Sequence, residues 1–103
     1  MSSQMLSKML FAEKIRQLRE EKQLLQRRVS AALEIDNALY CKIERGERRA
    51  KKEQIPAIAK ILGGDSEELL ILWLADQVIE IVNNEYELTN EVLAIVQEKM
   101  RRA

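Results

Sequence analysis

The sequence predicts an all-α fold, and three observations carry that prediction. The strong helix formers Ala, Leu, Glu, Lys, Gln and Arg dominate a chain of 103 residues with only 3 Gly and 1 Pro. Apolar residues recur at helical spacing along most of the chain, and no strictly alternating run of strand length interrupts them. Cap and stop signals punctuate the pattern at Asp36, Gly46, Gly63-Gly64 and Asp65-Ser66-Glu67-Glu68. A chain of 103 residues supports one domain with a real core, and not two.

Taken in order, Ser7 is expected to cap a first helix reaching about Lys22, with Phe11, Ile15 and Leu18 inward and residues 1–6 frayed. A second helix covers Gln26–Leu33, where Val29, Ala32 and Leu33 keep helical spacing, and Leu24 packs beneath the connection. Glu34-Ile35 makes a turn, with Ile35 plugging the core. Asp36 is a suitable N-cap for a third helix over Asn37–Arg45, which Gly46 stops in a left-handed conformation.

Residues 47–52, Glu-Arg-Arg-Ala-Lys-Lys, form a basic loop leading into a fourth helix whose apolar side is Ile55, Ile58, Ala59 and Leu62. Pro56 conflicts with a start near Lys52: either a hydrogen bond is lost or the helix begins later. Asp65-Ser66-Glu67-Glu68 reads as an acidic capping box for a long fifth helix ending near Val82. Asn83-Asn84-Glu85 is expected to break the chain. A sixth helix then runs from Thr89 or Asn90 to about Arg101, with Val92, Leu93, Val96 and Met100 inward and Leu88 stapled to Leu93. Its last turn carries Lys99, Arg101 and Arg102, the charge a helix C-terminus favours.

The net charge of zero conceals a division. Residues 1–52 hold 13 basic and 7 acidic groups, and residues 53–103 hold 4 and 10, so the halves balance at +6 and −6. The basic half suits a polyanionic partner. One Cys and no His leave no zinc site, no Ser/His or Cys/His pair and no intramolecular disulfide. The chain is expected to be a binding protein and not an enzyme, with no cofactor and no metal. Lys8, Glu13 and Lys14 interrupt the first apolar residues, so no signal peptide is expected. The longest apolar run, Leu69 to Ala75, is seven residues and too short to span a bilayer. A cytoplasmic location without a membrane partner follows as the expectation.

Gln26 to Gly46 is the most informative stretch. Two short helices meet at a tight turn, and the second turns Tyr40 and Ile43 one way and Ala38, Lys42 and Arg45 the other. Such a helix holds to a core by one face and offers a polar, positive face outward. At about nine residues it has roughly the reach of a DNA major groove. Cys41 falls at the edge between the two faces, where a small packing role is the plain reading.

Over about Ile15 to Leu70 the chain resembles the phage repressor/Cro-like (XRE) helix-turn-helix family of regulators. The matching residues are Ile15, Leu18-Arg19-Glu20-Glu21-Lys22, Gln26, Val29-Ser30, Leu33, Ile35, Lys42-Ile43-Glu44-Arg45-Gly46 and Ala59-Lys60-Ile61-Leu62. Two positions depart from the family pattern: Leu25 replaces the small polar residue before the glutamine, and Glu34 replaces the turn glycine. The resemblance implies a five-helix repressor-like domain over residues 7–70, and it assigns base reading to Asn37, Ala38 and Lys42. Their chemistry agrees, since Asn pairs with adenine, Lys donates to guanine and Ala touches a thymine methyl. The resemblance also implies that Gln26 binds a phosphate and braces the third helix, and that Arg45, Arg48, Arg49 and Lys52 grip phosphates. Arg19 and Glu44 occupy the places of an ion pair that orients the reading helix.

Residues 65–103 form a helical extension of the same compact unit, and most of it lies beyond the resemblance. The start of the fifth helix is apolar around its whole circumference, so it needs a second cover. Either the sixth helix folds back over it or another subunit does. The expected interface is Leu69, Leu72, Trp73, Val92 and Val96 in a homodimer. The function expected is a sequence-specific, dimeric transcriptional regulator, a repressor reading an inverted repeat in double-stranded DNA with the third helix. The alternative is a protein-interaction module, antitoxin-like or partner-capturing, with a vestigial DNA surface.

Overall fold

The computed structural model describes residues 9–103, so the expected Ser7 cap and the frayed residues 1–6 lie outside the described residues. Helix α1 spans Leu10–Glu21, α2 Gln26–Leu33, α3 Asn37–Glu44 and α4 Ile55–Leu62. A single 3-10 turn, Lys52–Gln54, leads into α4. Pro56 therefore sits within the first two positions of α4, where its missing N–H costs no helical bond. The later start resolves the conflict that Pro56 poses.

The fifth helix, α5, departs from expectation. A five-helix domain with a distinct sixth helix is not what forms: among the described residues there are five helices, and the last is a fused piece from Ser66 to Arg102. It is α-helical over Ser66–Val82, 3-10 over Asn83–Leu88 and α-helical again over Thr89–Arg102. The expected break at Asn83-Asn84-Glu85 is only a kink, with one non-helical residue, Glu85, at φ −128 and ψ 45. Two asparagines weaken a helix, but after Gly64 the chain has no Gly or Pro that would release it into a loop.

Short connections are closed by left-handed residues. Gly46 (φ 78) follows α3, its N–H donating to Ile43 O at 3.1 Å while Glu47 N donates to Lys42 O at 2.9 Å. That is a Schellman stop. Glu34 closes α2 in the same way at φ 58, with its N–H on Ala31 O and Ile35 N on Ser30 O. A glutamate in this conformation costs roughly 1 kcal/mol that the family's glycine would not. Asp36 has N-cap backbone geometry, but its side chain caps nothing; Asp65 does cap α5, accepting from Glu67 N at 3.2 Å. Glu68 turns away to Lys14 on α1, so the reciprocal half of the expected capping box is absent.

The core is a single cluster. Ile15, Val29, Tyr40, Ile55, Ile58, Leu62 and Leu69 are fully buried, and each such side chain stabilises the fold by about 1.5–3 kcal/mol. Leu18, Leu24, Leu33, Ile35, Leu72 and Trp73 pack around them. Ala32, expected inward, is exposed. Helix α3 packs on α1 and α2, α4 packs on the same two helices, and α5 packs chiefly on α1 and α4.

Polar contacts then fasten α5 to the rest. Asp76, 5% exposed, accepts from the backbone N–H of Leu10 at 2.7 Å and of Phe11 at 3.0 Å. A residue 66 positions away thus caps α1, whose own N-cap, Met9, has no side chain able to do so. Trp73 Nε1 donates to Ala50 O at 2.8 Å, and Glu80 pairs with Arg49.

The segment Thr89–Arg102 behaves differently. It has no buried residue, and Val92, Val96 and Met100, expected to line an inner face, are exposed. It packs on the 3-10 stretch before it and leaves the outer side of Ser66–Val82 open.

Asp76→Ala is expected to lower stability by about 1–3 kcal/mol, because it orphans two backbone donors at once. Urea denaturation measures the loss. Hydrogen exchange at the Leu10 and Phe11 amides should accelerate more than exchange elsewhere in α1.

Candidate nucleic-acid interface

The outward face of α3 follows from its inward one. Tyr40, Ile43 and Glu44 are buried, which at 3.6 residues per turn leaves Asn37, Ala38, Lys42 and Arg45 exposed on the opposite side. Cys41 and Leu39 lie between the two faces and are half-buried.

One carboxylate sets the position of this helix. Glu44 accepts from Arg19 Nε through Oε2 and from Arg19 Nη2 through Oε1, both at 2.8 Å, a bidentate pair. Glu44 Oε1 also accepts from Gln26 Nε2 at 3.0 Å. Arg19 Nη1 donates to Leu24 O at 2.8 Å, which fastens the α1–α2 connection. Helices α1, α2 and α3 are thereby joined at one point, and the Arg19 and Glu44 side chains are only 15% and 3% exposed. Burial alone would push the Glu44 carboxyl up, but the hydrogen bonds from Arg19 and Gln26 outweigh it and hold the group below its ordinary range. The Tyr40 hydroxyl is buried without a hydrogen-bond partner. Burial first, and then the adjacent Glu44 carboxylate, push its pKa well up and keep it protonated.

Gln26 is spent mostly on this network. Its Nε2 serves Glu44, and its Oε1 accepts from Cys41 Sγ at 3.3 Å, so it braces α3 from the start of α2. Asn37 Oδ1 accepts from Ser30 Oγ at 3.1 Å. That contact ties the first turn of α3 to α2, and Ser30 Oγ also lies 3.1 Å from Arg27 O.

The cations differ in availability. Lys42, Arg48 and Lys52 are exposed and make no ion pair among the described residues. Arg45 is paired with Glu47 at 2.9 Å, and Arg49 with Glu80. Arg27 and Arg28 are exposed on the first turn of α2, beside Gln26. Sequence reasoning left them out, although they continue the basic stretch directly after the glutamine. It also missed Glu80 opposite Arg49, a contact between residues 31 apart with no local signature. Among the described residues no group of His, Cys, Asp and Glu could hold a metal ion. No helix among them is long and apolar enough to cross a membrane.

A family model described as a helix-turn-helix domain matches residues 10–70, which covers α1 to the first turn of α5. The chain belongs to the helix-turn-helix family, in its XRE branch. Helix-turn-helix domains of this kind belong to DNA-binding transcriptional regulation, and α2 and α3 are the two helices that name them. No curated protein matches the chain, and no solved structure does.

Of the residues expected at a subunit interface, Leu69 is fully buried in this chain's own core and has no surface for a partner. Leu72 and Trp73 pack against the same core, while Val92 and Val96 are exposed. The outward side of α5 is formed instead by Ile71, Leu74, Val78 and Ile81.

Arg19→Ala should destabilise the protein by about 3 kcal/mol, since it strands a buried carboxylate, and a double-mutant cycle with Glu44→Gln should show strong coupling. The sign of the pH effect follows from the lowered Glu44 pKa. Its contribution is present above the unfolded pKa of about 4.3 and is lost as pH falls through the folded value. Glu44→Gln should therefore be less stable than the parent at neutral pH but show a flatter loss of stability below about pH 4.3. Denaturation curves across pH 2–7 check both.

Proposed function

We propose that the protein is a sequence-specific transcriptional repressor that binds duplex DNA as a two-fold dimer, reading an inverted repeat with α3 in the major groove. The observation that carries this reading is the rigid mounting of α3. Its inner face is buried around the Arg19–Glu44 pair, and its outer face offers Asn37, Ala38, Lys42 and Arg45. A helix fixed on one side and polar on the other meets base edges in a defined register.

In this reading Asn37, Ala38 and Lys42 touch bases. Gln26, Arg45, Arg48, Arg49 and Lys52 face phosphates, with Arg27 and Arg28 added to them. Gln26 reaches a phosphate only through the one amide hydrogen that Glu44 leaves free. Arg49 must exchange Glu80 for a phosphate, so Glu80 acts as an internal competitor. One reading helix covers too few base pairs to single out a promoter, and two related by a two-fold axis read half-sites about 34 Å apart. Occupancy of such a site excludes other proteins from it, which is why repression is the mode assigned.

Lys42→Ala should weaken specific binding by about 1–3 kcal/mol and relax the preference at one base position in each half-site. Arg48→Ala and Lys52→Ala should weaken binding to all duplexes alike and flatten the salt dependence by about one unit each. Glu80→Gln, which frees Arg49, should tighten binding to any duplex. Salt titrations with in vitro selection of bound sequences measure all of these. A protein-interaction module with a vestigial surface would show little affinity for any duplex and no steep salt slope.

A further inference from the structure

We propose that Trp73 is the positioning residue of the basic loop between α3 and α4, holding it in the shape in which its cations meet a DNA backbone. The proposal rests on the duplex-binding reading above and adds to it a residue that is not itself on the interface. Residues 45–51 join α3 to the 3-10 turn, and Arg45, Arg48, Arg49 and Lys51 lie within them, with Lys52 next. Cations so close in sequence repel one another, so the segment does not gather itself.

Its two ends are tied locally. Glu47 N donates to Lys42 O at 2.9 Å at the stop of α3, and at the other end Lys51 N donates to Gln54 Oε1 at 2.8 Å. The middle is tied from a distance. Ala50, 3% exposed, is the one buried residue of 45–51, and its carbonyl accepts from Trp73 Nε1, 23 positions further on.

The donor is itself held in place. The Trp73 ring packs against the core, and one turn on, Asp76 caps α1 through the Leu10 and Phe11 amides. Trp73, Asp76 and Glu80 share one face of α5, at spacings of three and four. An indole N–H is neutral and only donates, so it fixes the loop backbone without occupying a cation. Glu80, on the same face, does the opposite, because it pairs with Arg49.

Without the indole N–H, a buried carbonyl loses its donor, and it is relieved only by reaching water. Ala50 then turns outward. Arg49 and Lys51 are bonded to it on either side, and Arg48 and Lys52 are one residue further, so the cations move with it. Helix α3 is held separately, by Arg19 and Glu44. Loss of the Trp73 contact therefore acts on phosphate binding and leaves base reading alone.

Trp73 is the only tryptophan, so replacing tryptophan throughout the full chain alters this position alone. One version carries a benzothiophene side chain, with the same shape and sulfur in place of the N–H; a second carries 7-azaindole, which keeps the N–H. Duplex binding is titrated against salt for the parent and both versions, at a temperature where circular dichroism shows all three folded. The sulfur version should bind specific and random duplexes about three- to tenfold more weakly, with a salt slope lower by about one unit. The azaindole version should match the parent, and bases selected in vitro should be the same for all three. A merely structural role lowers the melting temperature and leaves the salt slope where it was. A parent that binds no duplex refutes the DNA reading itself. A parent that binds, with a sulfur version equal to it in affinity and slope, refutes the role of Trp73 alone, and so does a changed base preference.

Discussion

The Glu44 carboxylate is the contact on which the rest of this structure depends. Both of its oxygens are used: Arg19 bonds to each, Gln26 adds a third bond, and the same Arg19 reaches the Leu24 carbonyl. Removing a carboxylate from water is costly, and burial of this pair alone adds little net stability. What the pair supplies is position. An apolar contact tolerates sliding, whereas a bidentate guanidinium–carboxylate pair is directional, so α3 is held at one rotation about its axis. That rotation decides which side chains face outward.

The second organising contact is between the ends of the helical domain. Asp76 caps α1 from α5, Trp73 reaches the backbone at Ala50, and Glu80 meets Arg49. The two latter contacts engage the segment directly after α3, so α5 touches the basic loop as well as the core. The chain separates its charges accordingly, with the basic half around α2, α3 and the following loop, and the acidic half on the long last helix.

Much of the helical frame was legible in the sequence because its signals are local. Gln26–Leu33, the start of α3 at Asn37, the stop at Gly46 and the end of the first part of α5 near Val82 all rest on periodicity or on a cap within a few residues. The Arg19–Glu44 pair was legible only through the family resemblance, since nothing local links residues 25 apart. The capping of α1 was not read at all. Asp76 looks like one residue of a solvated stripe, although an acid beside so many apolar neighbours is itself a sign of a buried partner. The last helix was misjudged for a different reason. Asparagines mark a weak point, but without Gly or Pro a weak point bends and does not part.

The sequence by itself determined that the chain is all-α, that its charge is divided, and that one short helix has a buried side and a polar, basic side. Those properties depend on residue type and on spacing along one helix. Tertiary structure alone decided which apolar residues are spent. Leu69 and Trp73 go to the chain's own core, while Ile71, Leu74, Val78 and Ile81 stay outside. A helix that is apolar on every side carries no periodic signal of its own orientation, so its rotation is set by what it meets: the Asp76 cap, the Ala50 carbonyl and the core beneath it.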